Sequence, residues 1–368
     1  MAKSNSLKET HSPPSTDITL HSKGNLTHML SANSVPDKPA MRGFDPKFVD
    51  LVDYIVRITH EIWEEGGIGL LYDYYGTNMT IHTSSGPIYG RDKVIEATIQ
   101  AQAAFPNRRL YADEVIWGGN DVDGFLSSHR LVHEGINLGA TAYGPPTGKK
   151  VSYKAVADCA VLNNVIYEEW LVRDELMLIH QLGYDVHDMA RRMAEKESDQ
   201  LNKLVVPGEA TRLRGQLPPI PPTPNPNGQF NVELFVKNAL HEIWNWRLLN
   251  KIPETHAQNF ICESASGRSL YGQGHYRTYV LSLLSPFPDL AVTFDHFCAL
   301  KEGPNRYRTA TRWTMQGTHT GPGIYGEPTG KSIRIMGMSH HIVENGRFTH
   351  EWTLFDEFAL LKQLYRPD

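Results

Sequence analysis

Cysteine is scarce in this chain of 368 residues, with only Cys159, Cys262 and Cys298. They form no zinc or CxxC redox spacing, and their odd number argues against a disulfide framework. Charge of one sign is also missing. The formal net charge is −5, so no global basic character points to nucleic acid or to an anionic membrane. No apolar run reaches the length of a membrane span, and the first residues contain no signal-peptide core. A reducing cytoplasm is therefore the default location. Metal motifs are lacking too, although histidine is abundant at 17. His-Glu occurs at His60, His133, His241 and His350, yet none continues to a second His in the spacing of a zinc helix. His340 and His341 are neighbours on an expected strand, so they point to opposite faces. No metal is expected.

A phosphate loop is the next absence. The octamers "YGPPTGKK" from Tyr143 and "YGEPTGKS" from Tyr325 have its residue types. Its glycines need four residues between them, so that successive N–H groups curl around phosphate. Here Gly144 and Gly148 enclose three, as do Gly326 and Gly330. Pro145 and Pro146 offer no N–H, and strand-like sequence rather than a helix follows each copy. These read as turns between strands.

What the chain has in quantity is itself, twice. "HEIW" at His60 returns at His241, Phe105-Pro106 as Phe287-Pro288, Arg130 as Arg312, and Glu169-Trp170 as Glu351-Trp352. Asp174-Glu175 returns as Asp356-Glu357, and from Tyr89 onward each pair is 182 residues apart. This is an internal duplication, and two copies mean tandem globular domains rather than a solenoid. Residues 1–45, rich in Ser, Thr, Asn and Pro, read as a flexible arm. Residues 46–200 form a first domain, 201–227 a proline-rich linker, and 228–368 a second domain. Each copy begins with amphipathic helices (Phe48, Val52, Ile55, Ile58 and Ile62 share one face) and continues as four strands, with hairpin turns at Asn163-Asn164 and Asn345-Gly346. The expected fold is α+β, a curved antiparallel sheet wrapped over helices, with a pocket between them.

The set Arg, His-x-Gly, Pro-Thr-Gly-Lys, then Glu-Trp with Asp four residues after the Trp runs from Arg312 to Asp356. With "NNVIYEEWLVRDELMLIHQLGYD" in the first copy, it resembles the SnoaL-like polyketide cyclases of the nuclear-transport-factor-2-like superfamily. The resemblance covers nearly all of both copies. It implies two tandem cone-shaped domains, pairing through the sheets, and acid–base chemistry on a small molecule without a cofactor. Pairing could be within one chain, as an internal pseudo-dimer, or between chains, as a homodimer.

The resemblance also implies an Asp general acid/base in the last strand, here Asp356 and Asp174. Alternation places Trp352, Leu354 and Asp356 on one side, as it does Trp170, Val172 and Asp174. A carboxylate among such neighbours would be partly desolvated and its pKa raised. The competing role for both aspartates is helix N-cap. His319 stands where the family often has a pocket histidine, with Asn137 in the first copy. His340 matches Asp158. The candidate polar sets are thus His129, Asn137, Asp158 and Asp174 against Thr311, His319, His340 and Asp356. Trp313, Trp352 and Trp170 are candidates for holding a ring-bearing substrate. Arg130 and Arg312 fit substrate contact or salt bridges to Glu169 and Glu351, which read as structural on the opposite face from the aspartates. The expected activity is a cyclase, isomerase or aldol/retro-aldol lyase. The alternatives are a non-catalytic binding or assembly module, and an epoxide hydrolase built from Asp158, Arg130 and Asp174.

Overall fold

A computed structural model describes residues 41–204 and 230–367. The expected arm lies outside these residues except for 41–45, and the linker except for 201–204.

The first domain runs α1 (Leu51–Trp63), α2 (Leu71–Tyr74), β1 (Tyr75–Thr83), β2 (Gly86–Tyr89), α3 (Arg91–Ala104), β3 (Arg109–Asn120), β4 (Gly124–Ile136), β5 (Lys150–Leu162), β6 (Val165–Arg173) and α4 (Glu175–Leu182). Helices α5 (Val186–Lys196) and α6 (Ser198–Leu204) follow. The second domain repeats the order with α7 (Val232–Leu240), α8 (Ile252–Thr255), β7 (His256–Glu263), β8 (Ser269–Tyr271), α9 (Gly272–Leu284), β9 (Ala291–Lys301), β10 (Arg306–Thr318), β11 (Ser332–Glu344), β12 (Arg347–Phe355) and α10 (Glu357–Tyr365).

Local chemistry accounts for the boundaries. Asp50 caps α1 by accepting the Asp53 N–H at 2.8 Å, and Val52, Ile55, Ile58 and Ile62 are buried along one side. Asn163 and Asn164 have φ of 48° and 69°, and Asn345 and Gly346 of 51° and 71°. These left-handed pairs are what a two-residue hairpin needs. Each octamer lies in the connection between the third and fourth long strands' predecessors, β4 to β5 and β10 to β11.

The sheets have six strands each, ordered β2-β1-β6-β5-β4-β3 and β8-β7-β12-β11-β10-β9. They are mixed rather than wholly antiparallel, because β1 pairs in parallel with β6 and β7 with β12. The four expected strands correspond to β3–β6. The two leading strands escape the sequence pattern because β1 follows α2 without a break and β2 has only four residues.

One face of each sheet closes over its own helices. The other face packs against the opposite sheet, so sheet pairing occurs within the chain. Arg130 lies over Trp352 at 4.0 Å and Arg312 over Trp170 at 3.6 Å, two cation–π contacts related by the 182-residue repeat. Other contacts are one-sided. Glu114 accepts from Arg130 at 3.3 Å, Arg308 at 3.1 Å and His340 Nδ1 at 3.0 Å. Burial would raise the Glu114 carboxyl, but His340, Arg130 and Arg308 outweigh it and hold it down to about 2. Leaving such buried charges unpaired costs about 3–5 kcal/mol, so this asymmetric cluster fixes which sheet faces which.

Candidate functional site

Between the first sheet and helices α1 and α3 lies a cavity of about 150 Å³. On the scale where one water takes ~10–15 Å³ of such space, it has room for a ring-sized guest. Strand alternation selects its lining. Strand β4 contributes His129, Leu131 and His133, and β6 contributes Glu169, Leu171 and Arg173. Tyr75 at the start of β1, Trp63 at the end of α1, Arg108 just before β3 and the hydroxyls of Thr59, Thr83 and Thr98 add to the polar and aromatic parts of the wall.

Glu169 is buried, 6% exposed, and its Oε2 accepts the Tyr75 hydroxyl at 3.1 Å. Burial pushes the Glu169 carboxyl up to about 7, against the pull of Tyr75 and Arg173. His129 is driven down to about 3, by burial first and then by His340. His133 lies well below its ordinary value through burial, Arg108, Arg173 and His129, and it stacks on Tyr153 at 4.8 Å. Both imidazoles are therefore neutral at physiological pH. His129 Nε2 and His133 Nδ1 are buried with no hydrogen-bond partner among the described residues. A buried polar atom without a partner is costly, and here two of them belong to residues lining one cavity. Arg173 stands half-exposed at the rim, its Nη1 3.6 Å from Glu175 Oε1.

The second domain's cavity measures about 30 Å³. It keeps a buried Glu351, raised to about 7 by burial against the opposing effects of Tyr276 and Thr353. Larger or apolar side chains take the place of the first domain's lining. Tyr279 stands 182 residues after Ala97, Leu283 after Ala101, Trp313 after Leu131, Met315 after His133 and Phe355 after Arg173.

The sequence-based candidates divide by place. His129 lines the first cavity and Trp313 the second, where its Nε1–H donates to Ser339 Oγ at 3.0 Å. Trp170, Trp352, Arg130, Arg312, Asp158 and His340 sit on the outer faces between the two sheets. Asp158 pairs with Arg312 at 3.0 Å, and His340 Nε2 meets Ser128 Oγ at 2.8 Å. The alternation in β6 and β12 is as expected, but its faces are exchanged: Glu169 and Glu351 point into the cavities and the tryptophans point out. Aromatic neighbours do not identify the pocket side when the opposite side is buried under another sheet.

His319 lines neither cavity. Its Nδ1 accepts the Thr329 N–H at 3.3 Å, as Asn137 Oδ1 accepts the Thr147 N–H at 2.8 Å. The two residues clasp the repeated Pro-Thr-Gly turn. Asp174 and Asp356 both cap helices. Asp174 accepts from Met177 N at 3.3 Å and from Ser266 N of the second domain at 2.8 Å, and burial raises it to about 6. Asp356 accepts from Ala359 N at 2.9 Å and is raised to about 7 by burial and by Glu175. It borders a cleft between the domains rather than the second cavity. Asp158, Arg130 and Asp174 have separate partners, Arg130 meeting Glu114 and Asp113, so they form no single water-activating cluster.

Glu169, read from the sequence as a structural ion, lines the cavity instead, beside His133 and Tyr75, to which the sequence assigned no role. His133 follows His129 by four strand positions and so shares its face, a signal the sequence did hold. Among the described residues no three His, Cys, Asp or Glu side chains converge in a metal-binding arrangement, and no helix is long and apolar enough to cross a membrane. The first cavity offers one carboxyl poised near neutrality and two neutral imidazoles, in a largely aliphatic enclosure that also carries Arg108 and Arg173.

None of the curated proteins matches the chain. Among solved structures, IdmH from Streptomyces antibioticus is 21% identical, with 37% of this chain and 99% of that chain covered at a TM-score of 0.32. A SnoaL-like polyketide cyclase from Agrobacterium tumefaciens is 16% identical, with coverage of 36% and 98% and a TM-score of 0.31. TsrD from Streptomyces laurentii is 18% identical, with 37% and 98% covered at 0.32. The model of the SnoaL-like polyketide cyclase family matches twice, over residues 53–182 and again over 235–364. The chain belongs to the SnoaL-like polyketide cyclase family, with two tandem domains of it.

Proposed function

We propose that the protein is an acid–base enzyme whose working site is the first domain's cavity, acting on an apolar, ring-bearing small molecule with a carbonyl group. The observation that carries this reading is the grouping of Glu169 with His129 and His133 in one enclosed space. A carboxyl with pKa about 7 is present in both forms at neutral pH, which suits it to remove a proton next to a carbonyl and return it elsewhere. Tyr75 holds the carboxylate in place. A neutral imidazole N–H can donate to the carbonyl oxygen as negative charge develops there, without the cost of a buried cation. The reaction class is intramolecular aldol closure, isomerisation or retro-aldol cleavage, all of which begin with that proton. No step calls on a metal or an organic cofactor.

A metabolite extract incubated with wild type and with Glu169→Gln, followed by mass spectrometry, tests the reading. Features consumed by wild type and spared by the variant support an enzyme using Glu169. Features depleted from solution equally by both proteins and recovered unchanged on denaturation would instead mark a binding module.

A further inference from the structure

The two halves of the molecule also differ where the helix after the sixth strand begins. In the second domain, Arg268 donates twice to Glu357, at 2.7 and 2.8 Å. The residue 182 positions earlier is Gly86, so the corresponding Glu175 has no such arginine and, among the described residues, meets the Tyr143 hydroxyl and, at 3.6 Å, Arg173. The caps differ in the same way. The second oxygen of Asp174 takes the Ser266 N–H, whereas that of Asp356 has no hydrogen-bond partner among the described residues, although Asp356 is only 8% exposed. Gln200 stands against Gly86, its Nε2 2.4 Å from where a Cβ would lie, and beside it a cleft of about 290 Å³ opens, bordered by Gly86, Glu175 and Gln200 on one side and by Asp356 and Lys362 of the second domain on the other. Thr83, Ile88, Leu171 and Arg173 line both this cleft and the first domain's cavity. The two spaces adjoin.

We propose that the first domain's site is completed by the second: its cavity is entered through this cleft, and Asp356 hydrogen-bonds the part of the ligand that projects from the cavity. The inference rests on the first cavity being the working site. Asp356 is then a specificity-determining residue for a pocket in the other domain, not for its own.

The character of the projecting group follows from the charges around Asp356. Arg173 faces Glu175, and Lys362 is held by Glu197 at 2.6 Å, so the fixed charges cancel in pairs. Asp174, tied to the Ser266 N–H, helps to raise Asp356, and Tyr143 is spent on Glu175. A neutral, hydrogen-bond-accepting group fits better than an ion. Below about pH 7 the Asp356 carboxyl carries a proton to donate. Above it, the donor is lost.

The test is isothermal titration calorimetry of the full chain with two probes: 2-naphthol, a ring with a single hydroxyl and no tail, and N,N-dimethyl-2-(2-naphthyloxy)acetamide, whose tail adds an amide acceptor. Asp356→Ser keeps a good helix cap but removes the second oxygen, and Asp356→Asn keeps a donor that does not titrate. At pH 6 we expect Asp356→Ser to weaken the tailed probe roughly 5–10-fold, the value of one hydrogen bond, with 2-naphthol changed less than about twofold. Wild type should lose its preference for the tailed probe between pH 6 and 8, and Asp356→Asn should keep it. A tailed probe indifferent to Asp356→Ser, or an equal loss for both probes, overturns the inference while leaving the first cavity as the site. Failure of wild type to bind 2-naphthol at all contradicts the cavity reading, and the inference falls with it.

Discussion

The two domains share a backbone plan and differ in what fills it. Both carry a buried glutamate on the sixth strand, Glu169 and Glu351, and burial raises both to about 7. Around Glu169 there is an open cavity with two neutral histidines. Around Glu351 there is a nearly closed one, with Tyr279, Leu283, Trp313, Met315 and Phe355 in the places of Ala97, Ala101, Leu131, His133 and Arg173. Even Gly337, where β5 has Ala155, is required by this filling, since a Cβ there would lie 2.2 Å from the Trp313 ring. A perturbed carboxyl is therefore not enough to mark a working site. Space and a partner for the substrate's polar group decide between the copies. The second domain instead supplies a well-packed sheet, the Arg308 and His340 side chains that grip Glu114, and the far wall of the cleft.

The contrast can be broken by copying one pocket into the other. Ala97→Tyr with Ala101→Leu gives the first domain the two helix-borne side chains, Tyr279 and Leu283, that help fill the second domain's cavity. We expect turnover and ring binding to fall at least ~100-fold, as substrate access is the basis of the proposed chemistry, with melting temperature kept or raised. Retained turnover in a folded double variant would place the site elsewhere.

A smaller effect tests what the domains have in common. A folded-state pKa of about 7 against the ordinary 4.5 means that the folded chain holds the Glu169 and Glu351 protons over a window where the unfolded chain has released them. Stability therefore falls as pH rises from about 4.5 to about 7. Each glutamate contributes on the order of 3 kcal/mol to that loss, at about 1.4 kcal/mol per unit. Denaturant melts at pH 4.5 and pH 8 should show Glu169→Gln and Glu351→Gln each flattening the pH dependence, with the gain in stability at pH 8.

The smallest change concerns the clasp. Since Asn137 does in the first domain what His319 does in the second, His319→Asn should leave turnover unchanged and shift stability by less than about 1 kcal/mol. Loss of turnover in a folded His319→Asn protein would show that the histidine has a chemical part.

Much of this was legible in the sequence. The 182-residue register gave the duplication, paired asparagines marked a hairpin, and Asp-Glu before an apolar run allowed the helix caps that Asp174 and Asp356 form. The octamers are loops, as read, but each opening tyrosine reaches the Glu that follows the cap. What the sequence obscured was which side of each strand is inside. Both faces of these sheets are buried, one by helices and one by the other domain, so polar–apolar alternation carries no sign. Trp170 and Trp352 look like pocket walls and serve as platforms for Arg312 and Arg130. Glu169 looks like a structural ion and stands in the cavity. Cavity size is a matter of summed volumes from distant segments, and no local pattern reports it.

The central claim is that the first domain does the chemistry through Glu169. The most direct measurement is kcat/KM for Glu169→Gln and Glu351→Gln on a metabolite that wild type consumes. We expect a loss of about 10²–10⁴-fold for Glu169→Gln, the range for removing a general acid–base group, and a change of less than about twofold for Glu351→Gln. Equal losses, or a loss confined to Glu351→Gln, would contradict it.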